Sequence, residues 1–390
     1  MKRKIFAVLA ALCLLTGCVG RTEPEAPDIT HQPPAVDPVP EVPDGPTEAE
    51  LAETRLRERI GGMTLEEKVG QMFFVRCPEA GAAEDIQTYH LGGLLLFGRD
   101  FKAADGTWLT SETLRNALAA YQAASDIPLF IGSDEEGGTV TRVSRNPNIC
   151  ARPYASPQTL YAAGGMDAVR ADAADKASEL GELGINVNFA PACDVSTDPD
   201  DFIYARSFGQ DAAATAEYVR AVTEEYTAQN YACVLKHFPG YGNNADTHTG
   251  VAIDKRPYET FEQSDFLPFQ AGIAAGAPFV LVSHNVVECM DDALPASLSP
   301  AVHQILREKL GFAGIAITDD LAMDAVKEYA DGEAAVLAVL AGNDMLITSD
   351  YWNDIPAVLA AVEDGRIAES DIDGHVLRIL RCKQAQGWIE

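Results

Sequence analysis

Eight short apolar segments, separated by amphipathic stretches and closing on polar residues, predict an α/β chain folded as a single (β/α)8 TIM barrel. The alternation implies a parallel sheet, because parallel strands need a crossover between them. Eight strands close such a sheet on itself, and the polar ends matter because barrels of this kind carry their working groups where the strands finish.

Taken in order, the chain opens on Met1-Lys2-Arg3-Lys4 and an apolar run over residues 5–15. Basic residues ahead of an apolar run too short to cross a bilayer comfortably are expected to form a secretory signal. The run closes on Leu15-Thr16-Gly17-Cys18, which resembles the bacterial lipobox. Residues 1–17 are therefore expected to be a lipoprotein signal peptide. Lipid on Cys18 would hold the protein to the extracytoplasmic face of the cell membrane without a spanning helix. Residues 18–47 are rich in Pro and acidic side chains, with Pro33, Pro34, Pro38, Pro40, Pro43 and Pro46, and predict a semi-extended tether. The barrel is expected over residues 48–390.

The expected strands cover residues 71–77, 92–97, 128–133, 187–194, 232–237, 279–283, 314–319 and 344–348. Helices rich in Ala, Leu and Glu are expected over 111–124, 167–183, 212–229, 258–275, 299–310 and 333–341. Polar residues collect where strands end: Asp134, Asp194, Lys236 with His237, His284, Asp319 and Asp350. A barrel with only a structural role would not need that gathering.

The formal charge of −30 argues against nucleic acid as a partner, because phosphate binding needs a basic patch and none is visible. Of 8 cysteines, Cys13 falls in the signal and Cys18 carries the lipid. Cys77, Cys150, Cys193, Cys233, Cys289 and Cys382 are scattered, with no CxxC pair and no zinc spacing. Buried free thiols are expected for several of them, although an extracellular location permits a disulfide.

The most specific segment is Lys236-His237-Phe238-Pro239-Gly240-Tyr241-Gly242, continuing to Asp246-Thr247-His248. It resembles the KHFPGxG…DxH signature of family 3 glycoside hydrolases, in the β-N-acetylglucosaminidase branch. Agreeing in order and spacing are Asp134-Glu135-Glu136-Gly137-Gly138 leading to Arg142, Ala205-Arg206-Ser207-Phe208-Gly209, Ile317-Thr318-Asp319-Asp320, and the Gly-rich apolar strand at residues 92–97. The resemblance covers nearly all of the chain beyond the tether and implies a single-domain catalytic barrel.

Retaining hydrolysis of a glycoside needs a carboxylate beneath the anomeric carbon and a proton donor at the leaving oxygen. The resemblance assigns the first role to Asp319 and the second to His248, oriented by Asp246 through a hydrogen bond that fixes the imidazole tautomer. Asp320 is the rival nucleophile, and alternation along a strand would turn it away from the face that Asp319 presents. Asp134, Arg142, Arg206, Lys236 and His237 correspond to residues that bind the non-reducing-end sugar. His284 is expected to line the pocket, whereas His90, His303 and His375 look like surface or packing residues. Two departures from the family pattern are Thr139, where Arg is common, and Tyr241, where a second His is common. They bear on specificity and loop position.

The implied function is an exo-acting β-N-acetylhexosaminidase working on β-linked N-acetylglucosamine glycans such as peptidoglycan fragments, with neither metal nor cofactor. Three other readings stay open: a phosphorylase, since a histidine acid/base tolerates an anionic acceptor; a β-glucosidase without N-acetyl preference; and a tethered sugar-binding lipoprotein that performs no chemistry.

Overall fold

The computed structural model describes residues 45–244, 252–330 and 332–390, with Lys327 described by its backbone alone. The expected signal peptide, Cys18 and the tether up to residue 44 lie outside the described residues. Residues Thr47–Glu390 form one compact unit.

Its centre is a closed parallel barrel. The strands are β1 (Phe73–Arg76), β2 (Gly93–Leu96), β3 (Phe130–Ser133), β4 (Val187–Asn188) and β5 (Ala232–Phe238). They are followed by β6 (Ile253–Asp254), β7 (Phe279–Val282), β8 (Val286–Val287), β9 (Ile315–Asp320) and β10 (Met345–Thr348). Closure runs β1-β10-β9-β7-β5-β4-β3-β2, while β6 and β8 pair in a separate sheet of two strands. The barrel seals where Phe73 pairs with Leu346 and Val75 with Thr348.

Eight barrel strands are present, and the expected eight-fold α/β barrel is the observed fold. The fourth expected strand is shorter than the apolar run 187–194 suggests. The strand proper covers Val187 and Asn188 alone; beyond it Pro191 has no N–H to donate, and the chain rejoins β5 through a single bridge between Ala192 and Lys236. Two of the expected helices are irregular. The run 258–275 and the run 299–310 each contain a π-helical turn, at Phe261–Asp265 and Ile305–Lys309. The helix expected from residue 167 starts earlier, at Pro157, and carries a break at Gly164 and Gly165.

Aromatic rings fill the barrel, and small residues make the room. The Phe74 ring lies 6.3 Å from Phe130 and edge-on to Phe189 at 5.3 Å. A Cβ at Gly132 would stand 2.5 Å from the Phe189 ring and one at Gly93 would stand 2.8 Å from the Phe130 carbonyl oxygen. Neither position accepts even a methyl group without moving the core, which is close-packed. That packing fixes the strand ends on which the site is built.

Helix starts are reinforced locally. Thr47 and Thr64 each form a reciprocal capping box, with Glu50 and Glu67 respectively, which satisfies backbone N–H groups that the first turn leaves unpaired.

Candidate active site

A cavity of about 300 Å³ opens at the carboxyl ends of the barrel strands. Its wall includes Asp134, Arg142, Arg206, Lys236, His237 and Asp319. These residues come from distant points of the sequence and meet because consecutive parallel strands all end on one face.

The β3 end supplies two working carboxylates on alternate residues. Asp134 Oδ1 accepts from Lys236 Nζ at 2.7 Å, and Glu136 Oε1 lies 2.6 Å from the same ammonium. Glu135, between them, points the other way into the fold. Its Oε2 accepts the backbone N–H groups of Arg142 and Val143 at 2.9 and 2.7 Å, and its Oε1 accepts the Ser144 hydroxyl at 2.5 Å. That grip sets where the loop after β3 runs. The Arg142 guanidinium consequently stands 3.7 Å from Asp134 Oδ2.

Arg206 reaches Glu136 with two donors, Nε at 3.0 Å and an Nη at 2.7 Å, the forked geometry that suits guanidinium to carboxylate. The same Nη lies 2.9 Å from His237 Nε2. An arginine cannot accept, so Nε2 must accept and His237 is the Nδ1–H tautomer. That proton is donated to Asp194 Oδ2 at 2.7 Å, while Asp194 Oδ1 accepts the Tyr241 backbone N–H at 2.9 Å. The chain Glu136–Arg206–His237–Asp194 is thus fully specified.

Burial and partner charges oppose each other here. Burial alone would raise the Glu136 carboxyl, but Arg206 and Lys236 outweigh it and hold the group well below the usual carboxylate range. Burial also acts to raise Asp194, and its contact with His237, the Tyr241 N–H and the Arg206 charge bring it below its ordinary value. For Arg206 burial works to lower the guanidinium and Glu136 prevails, so it is raised.

Asp319, the last residue but one of β9, lines the cavity. Its neighbour does too: the cavity wall includes Asp320 as well, so strand alternation does not remove the second aspartate as expected. The strand is at its end, where the ladder register with β10 shifts between Met345 and Ile347. The two differ in their bonding. Asp320 Oδ1 accepts the Ala322 N–H at 3.0 Å, and its carboxyl is raised by burial and by the charge of Asp319. Asp319 Oδ1 accepts the Asp320 N–H at 2.9 Å.

Two other expectations change. His284 does not stand on the cavity wall; it is fully buried, with Nδ1 2.7 Å from the Ser297 hydroxyl and Nε2 3.0 Å from the Asp320 carbonyl. It braces the backbone under the aspartate pair. Asp350 stands just ahead of the helix Tyr351–Glu363 and accepts from the Asn353 side chain, so it belongs to a helix start. Asp246 and His248 lie outside the described residues.

The departures from the expected pattern have places. Tyr241 is buried and sets its ring edge-on to His237 at 5.2 Å. Thr139 is exposed and gives its carbonyl to Arg145. Cys77, Cys193, Cys233 and Cys382 are buried free thiols, whereas Cys150 is half-buried and Cys289 exposed. His303 and His375 are buried. Among the described residues no group of His, Cys, Asp and Glu is placed to hold a metal ion.

Sequence reasoning missed Glu136 and Arg76 and gave Asp194 no role. Glu136 was legible: alternation from Asp134 puts it on the same side. Arg76 closes β1 and shares the cavity wall with Phe97, its guanidinium 4.5 Å over that ring. Strand-end logic applied to the first strand finds it.

Proteins of known family resemble the chain. The sequence profile of the glycosyl hydrolase family 3 N-terminal domain matches residues 64–382. The β-hexosaminidase LpqI of Mycobacterium tuberculosis is 31% identical over 336 residues, covering 81% of this chain and 82% of the relative. The family 3 β-N-acetylglucosaminidase of a Paenibacillus species superposes with a TM-score of 0.77 at 32% identity, over 84% of this chain and 63% of its own. The present chain therefore spans less than two thirds of that Paenibacillus protein. The β-N-acetylhexosaminidase of Beutenbergia cavernae gives a TM-score of 0.73 at 28% identity, over 83% of this chain and 99% of its own.

Proposed function

This chain belongs to glycosyl hydrolase family 3, and we propose that it is a retaining exo-β-N-acetylhexosaminidase that removes terminal β-linked N-acetylglucosamine from peptidoglycan fragments. The observation that carries the reading is one juxtaposition. Asp319 lines the same cavity as Asp134, Arg142, Arg206, Lys236 and His237, so a carboxylate faces a ring of donors and acceptors suited to sugar hydroxyls. Relatives named as β-hexosaminidases support the N-acetyl preference.

In the proposed reaction the sugar's hydroxyls bind Asp134, Arg142, Lys236, His237 and Arg206. That places C1 against the Asp319 carboxylate, which attacks it while the C1–O bond to the leaving sugar breaks. His248, as imidazolium, gives its proton to the departing oxygen, and Asp246 stabilises the charged ring until then. Water then attacks C1 of the glycosyl-enzyme, loses a proton to His248 and frees Asp319. Glu136 and Asp194 act through Arg206, Lys236 and His237, holding their side chains in place by hydrogen bonds.

Two further parts of the reading rest on the sequence. Residues 48–390 form the catalytic domain. Cys18 bears lipid, and residues 18–47 tether that domain to the extracytoplasmic face of the membrane, where wall glycan is in reach.

Purified protein is expected to release N-acetylglucosamine from a chromogenic β-N-acetylglucosaminide and to leave the β-glucoside largely intact. No release sinks the reading, and tight binding of an intact disaccharide over hours would favour a carrier. Product analysis with and without inorganic phosphate is expected to give free sugar in both; sugar phosphate would make the enzyme a phosphorylase.

A further inference from the structure

A second cavity, of about 570 Å³, adjoins the first over the ends of β1 and β10. Arg76 stands in the wall of both, so the two share a partition. The second is the roomier, against about 300 Å³ for the first.

Its far side is aromatic. Tyr89 meets Tyr351 edge-on at 5.3 Å, and Tyr351 meets Trp352 at 5.0 Å. Tyr351 is buried, and its hydroxyl donates to Asp85 at 2.6 Å. That hydroxyl bond and the ring contacts fix the cluster. Trp352, in the first turn of the helix Tyr351–Glu363, keeps 52% of its surface exposed. A rigid indole presented to a cavity offers a large apolar face with little ordering cost.

The partition supplies a polar counterpart. Arg76 Nε is buried and has no hydrogen-bond partner among the described residues. The residue as a whole is partly exposed and lines both cavities, so the outer nitrogens of its guanidinium are the donors that a ligand oxygen reaches.

We propose that this second cavity is the leaving-group subsite, which takes the saccharide on the reducing side of the scissile bond, its ring stacked on Trp352 and one oxygen accepting from the Arg76 guanidinium. A pyranose suits both walls: its C–H face is apolar and weakly positive, which matches an indole face, and its rim carries oxygens. The inference rests on the glycosidase reading above. It adds that the enzyme recognises the sugar it releases as well as the sugar it attacks.

The test compares two substrates. In N,N′-diacetylchitobiose the leaving group is a sugar; in methyl β-N-acetylglucosaminide it is too small to reach Trp352. Trp352→Ala is expected to lower kcat/KM for the disaccharide about 3- to 10-fold, mainly through KM, and to leave the methyl glycoside within about 2-fold. Trp352→Phe is expected to recover most of the loss, and a melting temperature equal to wild type confirms that folding is intact. Equal losses on both substrates, or none on the disaccharide, overturn the subsite while leaving the glycosidase reading standing. Wild-type protein inactive on both substrates would overturn the glycosidase reading itself, and the subsite with it.

Discussion

The barrel buries carboxylates among cations at both of its ends, and the two clusters do different things. At the start of β10, Asp344 is fully buried. Its Oδ2 accepts from Arg307 at 2.5 Å and from the Ala316 N–H at 2.9 Å, and its Oδ1 from His375 at 2.9 Å and Arg378 at 3.0 Å. Both oxygens are saturated by protein, and those partners, chiefly His375 and the two arginines, overcome burial to lower its carboxyl. At the other end, Asp134, Glu136 and Asp194 pair with Lys236, Arg206 and His237 in much the same way, but Asp134, Arg142 and Asp319 also face a cavity. Charge pairing is common to both ends, so it cannot identify a site. Strand polarity and an open wall can, because in a barrel of this type the carboxyl ends carry function and the amino ends carry stability.

The largest expected effect separates chemistry from folding. Asp319→Asn should lower kcat at least about 1000-fold, since it removes the group that makes the covalent bond. Its melting temperature should be unchanged or slightly higher, because one like charge beside Asp320 is gone. A variant that unfolds instead would make Asp319 structural and erase the contrast.

Next comes a matched pair. Glu136→Gln leaves Arg206 and Lys236 buried without their shared anion, and Asp344→Asn takes the anion from the half-buried Arg307 and Arg378. The first should cost about 3–5 kcal/mol in denaturant unfolding, and the second less, because water reaches its arginines. They should part in kinetics: Glu136→Gln raises KM as the sugar-binding cations lose their positions, whereas Asp344→Asn leaves kcat/KM per folded molecule within about 2-fold. Equal kinetic damage from both would break the comparison.

Smaller effects appear in pH dependence. The folded-state pKa values of Glu136 and Asp194 are lowered, so their contribution to stability is present above the unfolded values of 4.5 and 3.8. It is lost as pH falls below them. Melting temperature should drop on acidification through that range, and the slope should be shallower in Glu136→Gln.

Asp354 has the opposite sign. Burial, with weaker help from Asp350 and Asp320, raises its carboxyl to about 6 against the Thr348 hydroxyl bond. Its ionisation therefore costs stability as pH rises from 3.8 to about 6. Asp354→Asn should gain on wild type across that interval and hold a constant advantage above it, read from melting curves.

Much of this was legible in the sequence, for reasons that differ by element. The barrel strands stand out because strands buried on both faces read as continuous apolar runs. The run 187–194 misled because its apolar pattern outweighed Pro191, which has no N–H and marks the interruption. Strands β6 and β8 are two residues each, too short for any period. Asp134, Lys236, His237 and Asp319 were found from strand ends and motif. The pairing of Arg206 with Glu136 spans 70 positions, a separation that no local pattern encodes. His284 shows the reverse error: a strand-end residue that turns into the fold instead of the cavity.

The most direct test of the account is to trap the covalent intermediate. A 5-fluoro β-N-acetylglucosaminyl fluoride slows the second displacement, so the glycosyl-enzyme accumulates and can be digested and mapped by mass spectrometry. One sugar mass is expected on the peptide containing Asp319, with fragmentation assigning it to Asp319 and no adduct in Asp319→Asn. An adduct on Asp320, or rapid turnover by Asp319→Asn, would contradict it.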